Sequence, residues 1–305
     1  MIIYAQINRF YILDISPDIS IVRNLLSNGL DVYLLDCGYP SCEDSCMSMK
    51  DYVDYVNDAV EYIKGKAEFE KISLLGYCWG SIISLIYTAL SNNEKINSLV
   101  LMAAPVDFSN DNTILSNWAK AVNADKIVEE VGHLDGQILD LAFIMRNPPR
   151  YLFDKYFKLF KKLDDKKFVD NFISVEKWLY GTPIIPVNFS AKIIDDCYKN
   201  NLLISNRMNI EDYNGIDEEN LDISISNREK SNGQINLRNV DVPLLTIVAE
   251  QDDLVSPEAT LAVNDYVSSK DKRSISIPGG HVGLCISKNA HKKLWLEVAK
   301  WILSK

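Results

Sequence analysis

Apolar runs and helical repeats take turns along the first third of the chain. MIIYAQI (1–7) is apolar and β-prone. SPDISIVRNLLSNG predicts a helix with Ser16 as N-cap, Pro17 in its first turn and Gly29 as its stop. DVYLLD (31–36) reads as a short buried strand. In SMKDYVDYVNDAVEYIKG (48–65), Val53, Val56, Ala59, Val60 and Ile63 recur at helical spacing. KISLLGY (71–77) is an apolar strand, WGSIISLIYTAL (79–90) an apolar helix, and INSLVLMAAP (96–105) a strand stopped by Pro105.

The rhythm breaks after residue 106. From 107 to 238 the chain is helix-like and polar, rich in Lys and Asp, with aromatic anchors such as Trp118, Phe157 and Trp178; residues 205–236 are polar and turn-rich. Alternation resumes with strand 243–250, helix 257–269, strand 273–279 and helix 287–304. Strands alternating with helices predict an α/β fold: a mostly parallel sheet with helices on both faces. The expected organisation is a core of 1–106 and 239–305 with 107–238 inserted as a mostly helical lid. Such a lid would cover the C-terminal edge of the sheet, where open α/β sheets carry their active sites.

Composition narrows the function. A chain of 305 residues that is 47% hydrophobic can bury one large core with an inserted subdomain. The formal net charge of -10, with no basic stripe, argues against nucleic acid as a partner. Six Cys, at 37, 42, 46, 78, 197 and 285, form no CxxC pair and no Cys/His cluster at ligand spacing, so no metal is expected. The start lacks a basic n-region and its apolar run is too short to span a bilayer, which points to a cytoplasmic chain with reduced thiols.

The chemistry centres on LLGYCWGS (74–81). Read as G-x-C-x-G, it is the strand-to-helix turn that presents the nucleophile in α/β-hydrolases, with Cys78 where Ser is usual. In that fold the acid follows a late strand and the histidine follows the last one. AEQDDLVSP supplies the acid; its D-x-x-V-x-P spacing, with Val255 and Pro257, favours Asp252 and leaves Asp253 as a solvated turn residue or a capping aid. PGGHVGL supplies His281. Of the other two His, His133 falls in the lid and His291 stands among Lys residues and reads as solvent-facing. His281 would take the thiol proton and Asp252 would fix the imidazole tautomer. The backbone N–H of Trp79, opening a helix, is one oxyanion donor; the second is expected from the loop after the first strand, around Ile7 and Asn8.

These motifs, with YAQINRFYILDISPD, VYLLDCGYPS, APVDF and EKWLYGTP, resemble poly(3-hydroxyalkanoate) synthases, above all the short two-subunit class (class III, PhaC-type subunit). The resemblance covers nearly the whole chain in order. It implies an acyltransferase that polymerises 3-hydroxyacyl-CoA through a thioester on Cys78 and releases CoA. It also implies no cofactor, a PhaE-type partner subunit, an oligomer, and a product stored as cytoplasmic polymer granules. Two other readings stay open: a Cys-dependent hydrolase of the same fold (thioesterase or dienelactone-type), and a non-catalytic truncated paralogue.

Three positions depart from the family pattern. Ser81 stands where the family has a second Gly, and Asp253 where many members carry His. The chain also begins inside what resembles the third strand of the hydrolase sheet. The first two strands of that sheet are therefore expected to be absent, which would leave DVYLLD as an open edge.

Overall fold

The computed structural model describes residues 1–67, 69–91, 94–109, 111, 113–124, 126, 130, 133–211 and 233–305. Much of the polar stretch 205–236 lies outside the described residues. The chain runs through β1 (Ile2–Ile3), β2 (Asp14–Ser16), β3 (Ile19–Ser20), α1 (Ile21–Ser27), β4 (Leu34–Leu35), α2 (Met49–Ala67), β5 (Ile72–Tyr77), α3 (Trp79–Leu90) and β6 (Ile96–Met102). A helical stretch follows: α4 (Ile114–Ala121), α5 (Gly136–Met145), α6 (Lys155–Phe160), α7 (Lys166–Leu179) and α8 (Val187–Lys192). The strands β7 (His133–Leu134) and β8 (Ile185–Pro186) pair antiparallel within this stretch. The chain then returns through β9 (Leu244–Ala249), α9 (Pro257–Leu261), α10 (Val263–Tyr266), β10 (Lys272–Ile277), α11 (Gly283–Ile286) and α12 (Trp295–Leu303).

Six strands form one sheet in the order β10-β9-β6-β5-β1-β4, and every neighbouring pair is parallel. The central strands are continuous apolar runs because helices cover both of their faces. All six residues of β9 are buried, as are six of the seven in β6. Helix α3 is mostly apolar and buried from Trp79 to Ala89, packed on β5 and β6 and in contact with α2. The strand register aligns Tyr77 with Met102, Met102 with Ile247, and Ala249 with Ile277. The loops carrying Cys78, Asp252 and His281 therefore leave one edge of the sheet together.

Two sequence expectations are corrected. The first helix starts at Ile21, not beside Pro17, because residues 14–20 form the β2–β3 hairpin. Ser20, not Ser16, is its N-cap, and Ser20 Oγ accepts from Arg23 N at 2.9 Å. Gly29 does end the segment, in a left-handed conformation (φ 89°). The strand expected over 31–36 contracts to Leu34–Leu35, which stands at the edge of the sheet as expected.

Candidate active site

Cys78 sits in a backbone conformation that side chains rarely adopt, φ 54° and ψ −121°. The turn is tight on both sides. A Cβ on Gly76 would fall 2.6 Å from Gly80 O, and a Cβ on Gly80 would fall 2.6 Å from Tyr4 O. Glycine is thus required at both positions so that strand, turn and neighbouring strand can close on one another. Cys78 N–H donates to Met102 O at 2.8 Å, which ties the turn to the end of β6.

Ser81 takes part in the same joint. Its Oγ donates to Met102 O and accepts from Met102 N, both at 3.1 Å, in a fully buried position. The hydroxyl is therefore more than a tolerated departure: it adds a buried side-chain bridge to Met102, whose backbone also takes part in the β5–β6 ladder.

His281 and Asp252 meet as the sequence predicts. Asp252 Oδ2 lies 2.7 Å from His281 Nδ1, and Asp252 Oδ1 accepts from Leu254 N at 2.9 Å and Val255 N at 3.0 Å. Burial pulls the His281 pKa down. The Asp252 charge, the Cys78 sulfur and hydrogen bonds to both outweigh it, and the imidazole pKa is pushed up to about 10. Burial alone would raise Asp252, but the His281 charge and the accepted hydrogen bonds leave its pKa below the usual carboxylate value. Nδ1 faces the carboxylate, so Nε2 is the atom free to exchange a proton with sulfur. Tyr77 forms the floor: its ring centroid lies 5.1 Å from that of His281.

Trp79 and Asn8, the residues expected to supply oxyanion donors, lie at the start of α3 and in the loop after β1. Trp79 opens α3, where the first N–H groups have no intrahelical acceptor. Its ring packs against Phe108, with centroids 6.3 Å apart. Asn8, in the loop after β1, is buried and left-handed (φ 73°), and its Oδ1 accepts from Arg9 N at 2.7 Å. That loop is clamped from above. Trp178 Nε1 donates to Arg9 O at 2.8 Å and to Tyr4 Oη at 3.2 Å, and Arg9 Nε donates to Gly181 O at 2.6 Å. The EKWLYGTP stretch thus holds the loop that carries Asn8.

Two further expectations change. Asp253 is not simply a solvated turn residue. It pairs with Arg146 Nη1 at 2.5 Å, and Arg146 also donates to Tyr151 Oη at 2.9 Å and Phe143 O at 3.2 Å. The Arg146 side chain is only 5% exposed against 42% for Asp253. His291 is not solvent-facing: it is half-buried, with Nε2 2.6 Å from Cys285 O and Nδ1 3.0 Å from Asn24 Nδ2. His133 lies in β7. The one sequence signal for Arg146 was a lone cation closing the apolar run ILDLAFIM.

Residues 13–285 match the family described as alpha/beta hydrolase fold. The chain is 33% identical over 303 residues to the poly(3-hydroxyalkanoate) polymerase subunit PhaC of Thiocystis violacea, across 99% of this chain and 79% of that one. It is 34% identical over 310 residues to the subunit of the same name from Synechocystis sp., across 99% and 76%. Among solved structures it is similar to the monoacylglycerol lipase of Paleococcus ferrophilus, with TM-score 0.59 and 13% identity, covering 99% of this chain and 93% of that one. It is also similar to Est1E from Butyrivibrio proteoclasticus, with TM-score 0.56 and 12% identity, covering 99% and 87%. Those two likenesses show the fold alone. With a cysteine at the nucleophile turn and this identity along almost its whole length, the chain belongs to the poly(3-hydroxyalkanoate) polymerase PhaC-subunit family of the α/β-hydrolase fold.

Proposed function

We propose that this protein is an acyltransferase that polymerises 3-hydroxyacyl-CoA into poly(3-hydroxyalkanoate), with Cys78, His281 and Asp252 as its catalytic residues. The observation that carries the reading is Cys78 at the strained turn, in reach of a His281 that is held by Asp252. The family's polymerase naming supports the substrate class.

In this mechanism Cys78 sulfur attacks the thioester carbonyl, and the oxyanion faces the N–H of Trp79 and the loop bearing Asn8. Collapse breaks the bond to CoA sulfur, and the departing thiolate takes a proton from His281. One thioester has replaced another, so this step is nearly neutral in free energy and the acyl group stays activated. His281 then takes the proton of an incoming hydroxyl, which attacks the acyl carbonyl and regenerates Cys78. The product is an oxoester, more stable than the thioester, so elongation runs downhill. A Ser nucleophile would lose the activation at the first step.

Water competes with the incoming hydroxyl, so the site must be covered. We propose that 107–238 serves as that lid and that no cofactor takes part. A PhaE-type partner subunit, an oligomeric assembly and a cytoplasmic site on polymer granules follow from the same reading. Among the described residues no helix is long and apolar enough to cross a membrane.

The test is incubation with 3-hydroxybutyryl-CoA, with and without the partner subunit. Release of CoA together with insoluble polymer is the expected result. Release of CoA with free hydroxyacid would instead make the protein a hydrolase, and no release under either condition would make it a non-catalytic relative.

A further inference from the structure

The helical run 149–160 has a face that the catalytic reading does not use. Pro149–Asp154 forms a wide helical turn that continues directly into α6. Phe153, Phe157 and Phe160 follow one another at i, i+4 and i+7 and so share a side. They are 59%, 62% and 69% exposed. Leu152 and Leu163, at the two ends of the run, are exposed as well. Water is a poor solvent for three adjacent phenyl rings, and such contiguous apolar surface marks an interaction site.

Charge says what kind of partner fits. The chain as a whole carries -10, yet residues 150–170 hold seven basic side chains against four acidic ones. Arg150, Lys158 and Lys161 are exposed along the same run, as is one acid, Asp154, and among the described residues none of the three cations is in an ion pair. Some nearby charges are already engaged: Lys155 with Glu176, and Lys167 with Asp18. Phe and Leu on one side with uncommitted Lys and Arg beside them is the pattern of a helix that lies in the plane of a membrane interface. The rings would enter the acyl boundary and the cations would meet anionic headgroups. An uncharged polyester surface would engage the rings but would give the cations no partner.

We propose that the run from Pro149 to Leu163 is an interfacial docking element for a phospholipid surface bearing anionic headgroups. It binds without spanning, and its role is independent of the chemistry at Cys78.

The test is sedimentation of the full chain with vesicles of phosphatidylcholine alone or mixed with phosphatidylglycerol. Binding is expected on the anionic vesicles, weakened by salt, and reduced at least about tenfold on neutral ones. Both Phe153→Ser/Phe157→Ser/Phe160→Ser and Arg150→Glu/Lys158→Glu/Lys161→Glu should reduce it by a similar factor. These side chains are exposed, so far-UV circular dichroism should match that of the wild type; loss of helical signal in one variant transfers the test to the other. No binding to anionic vesicles overturns the proposal. So does equal binding to both vesicle types, binding that survives both triple variants, or binding to polyester particles but not to vesicles.

Discussion

At the scale of single residues, the turn around Cys78 is built from steric necessity. Gly80 lies against the backbone of β1 and Tyr4, which cannot retreat without breaking the sheet. Gly80→Ala is therefore expected to destabilise the fold by at least about 2 kcal/mol, read from urea unfolding. A loss below about 0.5 kcal/mol would mean the turn relaxes freely. Ser81 makes the opposite point. A sequence reading sees a departure from a second glycine and can only ask whether it is tolerated, because a hydrogen bond to a strand twenty residues away leaves no mark in the local pattern. Its hydroxyl bridges both backbone groups of Met102. Ser81→Ala should cost about 0.5–1.5 kcal/mol by removing the hydroxyl's hydrogen bonds to Met102, and Ser81→Gly, the residue of the family pattern, should cost no less. A Gly variant as stable as the wild type would show that the bridge contributes nothing.

At the scale of elements, local signals worked where periodicity was strong. Helix α3 has the expected bounds, and the central strands β5, β6 and β9 fall inside their apolar runs. The first helix was misplaced because Ser-Pro opens helices and turns alike, and here Pro17 occupies the tip of the β2–β3 hairpin. The Arg146–Asp253 pair was out of reach for a different reason. Sequence periodicity tells which face of α5 is apolar but not which loop of the sheet it meets. That pair joins the end of α5 to the loop that carries Asp252. Removing the carboxylate leaves a nearly buried guanidinium without its counter-charge. Asp253→Ala should therefore cost about 1 kcal/mol, the deep-burial value being reduced because Asp253 itself is partly in water. It should also speed amide hydrogen exchange in 136–160. Unchanged exchange there would show that α5 is held by other contacts.

At the scale of the whole molecule, the convergence of three distant loops was legible because chain order in this fold is itself informative: the loops of Cys78, Asp252 and His281 each leave the same edge of one parallel sheet. What order could not give was the electrostatic state. His281 is held protonated further up the pH scale than a free imidazole, at about 10 against 6.5. A group whose pKa rises on folding contributes stability that is complete below its unfolded value and disappears as pH climbs through the folded one. The stability of the wild type relative to His281→Gln should therefore decline from about pH 6.5 to about pH 10, measured as the difference in Tm. Asp252, with its pKa depressed, adds the converse: its contribution is present above 3.8 and lost as pH falls below it. A His281→Gln difference that stays level or grows across the alkaline range would contradict the charged pair.

The proposed mechanism requires Cys78 to carry the acyl group. Its most direct test is peptide mass spectrometry after rapid quenching with 3-hydroxybutyryl-CoA. Hydroxybutyryl adducts are expected on the peptide containing Cys78, removable by neutral hydroxylamine as a thioester is, and absent in Cys78→Ala together with CoA release. CoA release that persists in Cys78→Ala, or an adduct on Cys285 or any other residue instead, would contradict it.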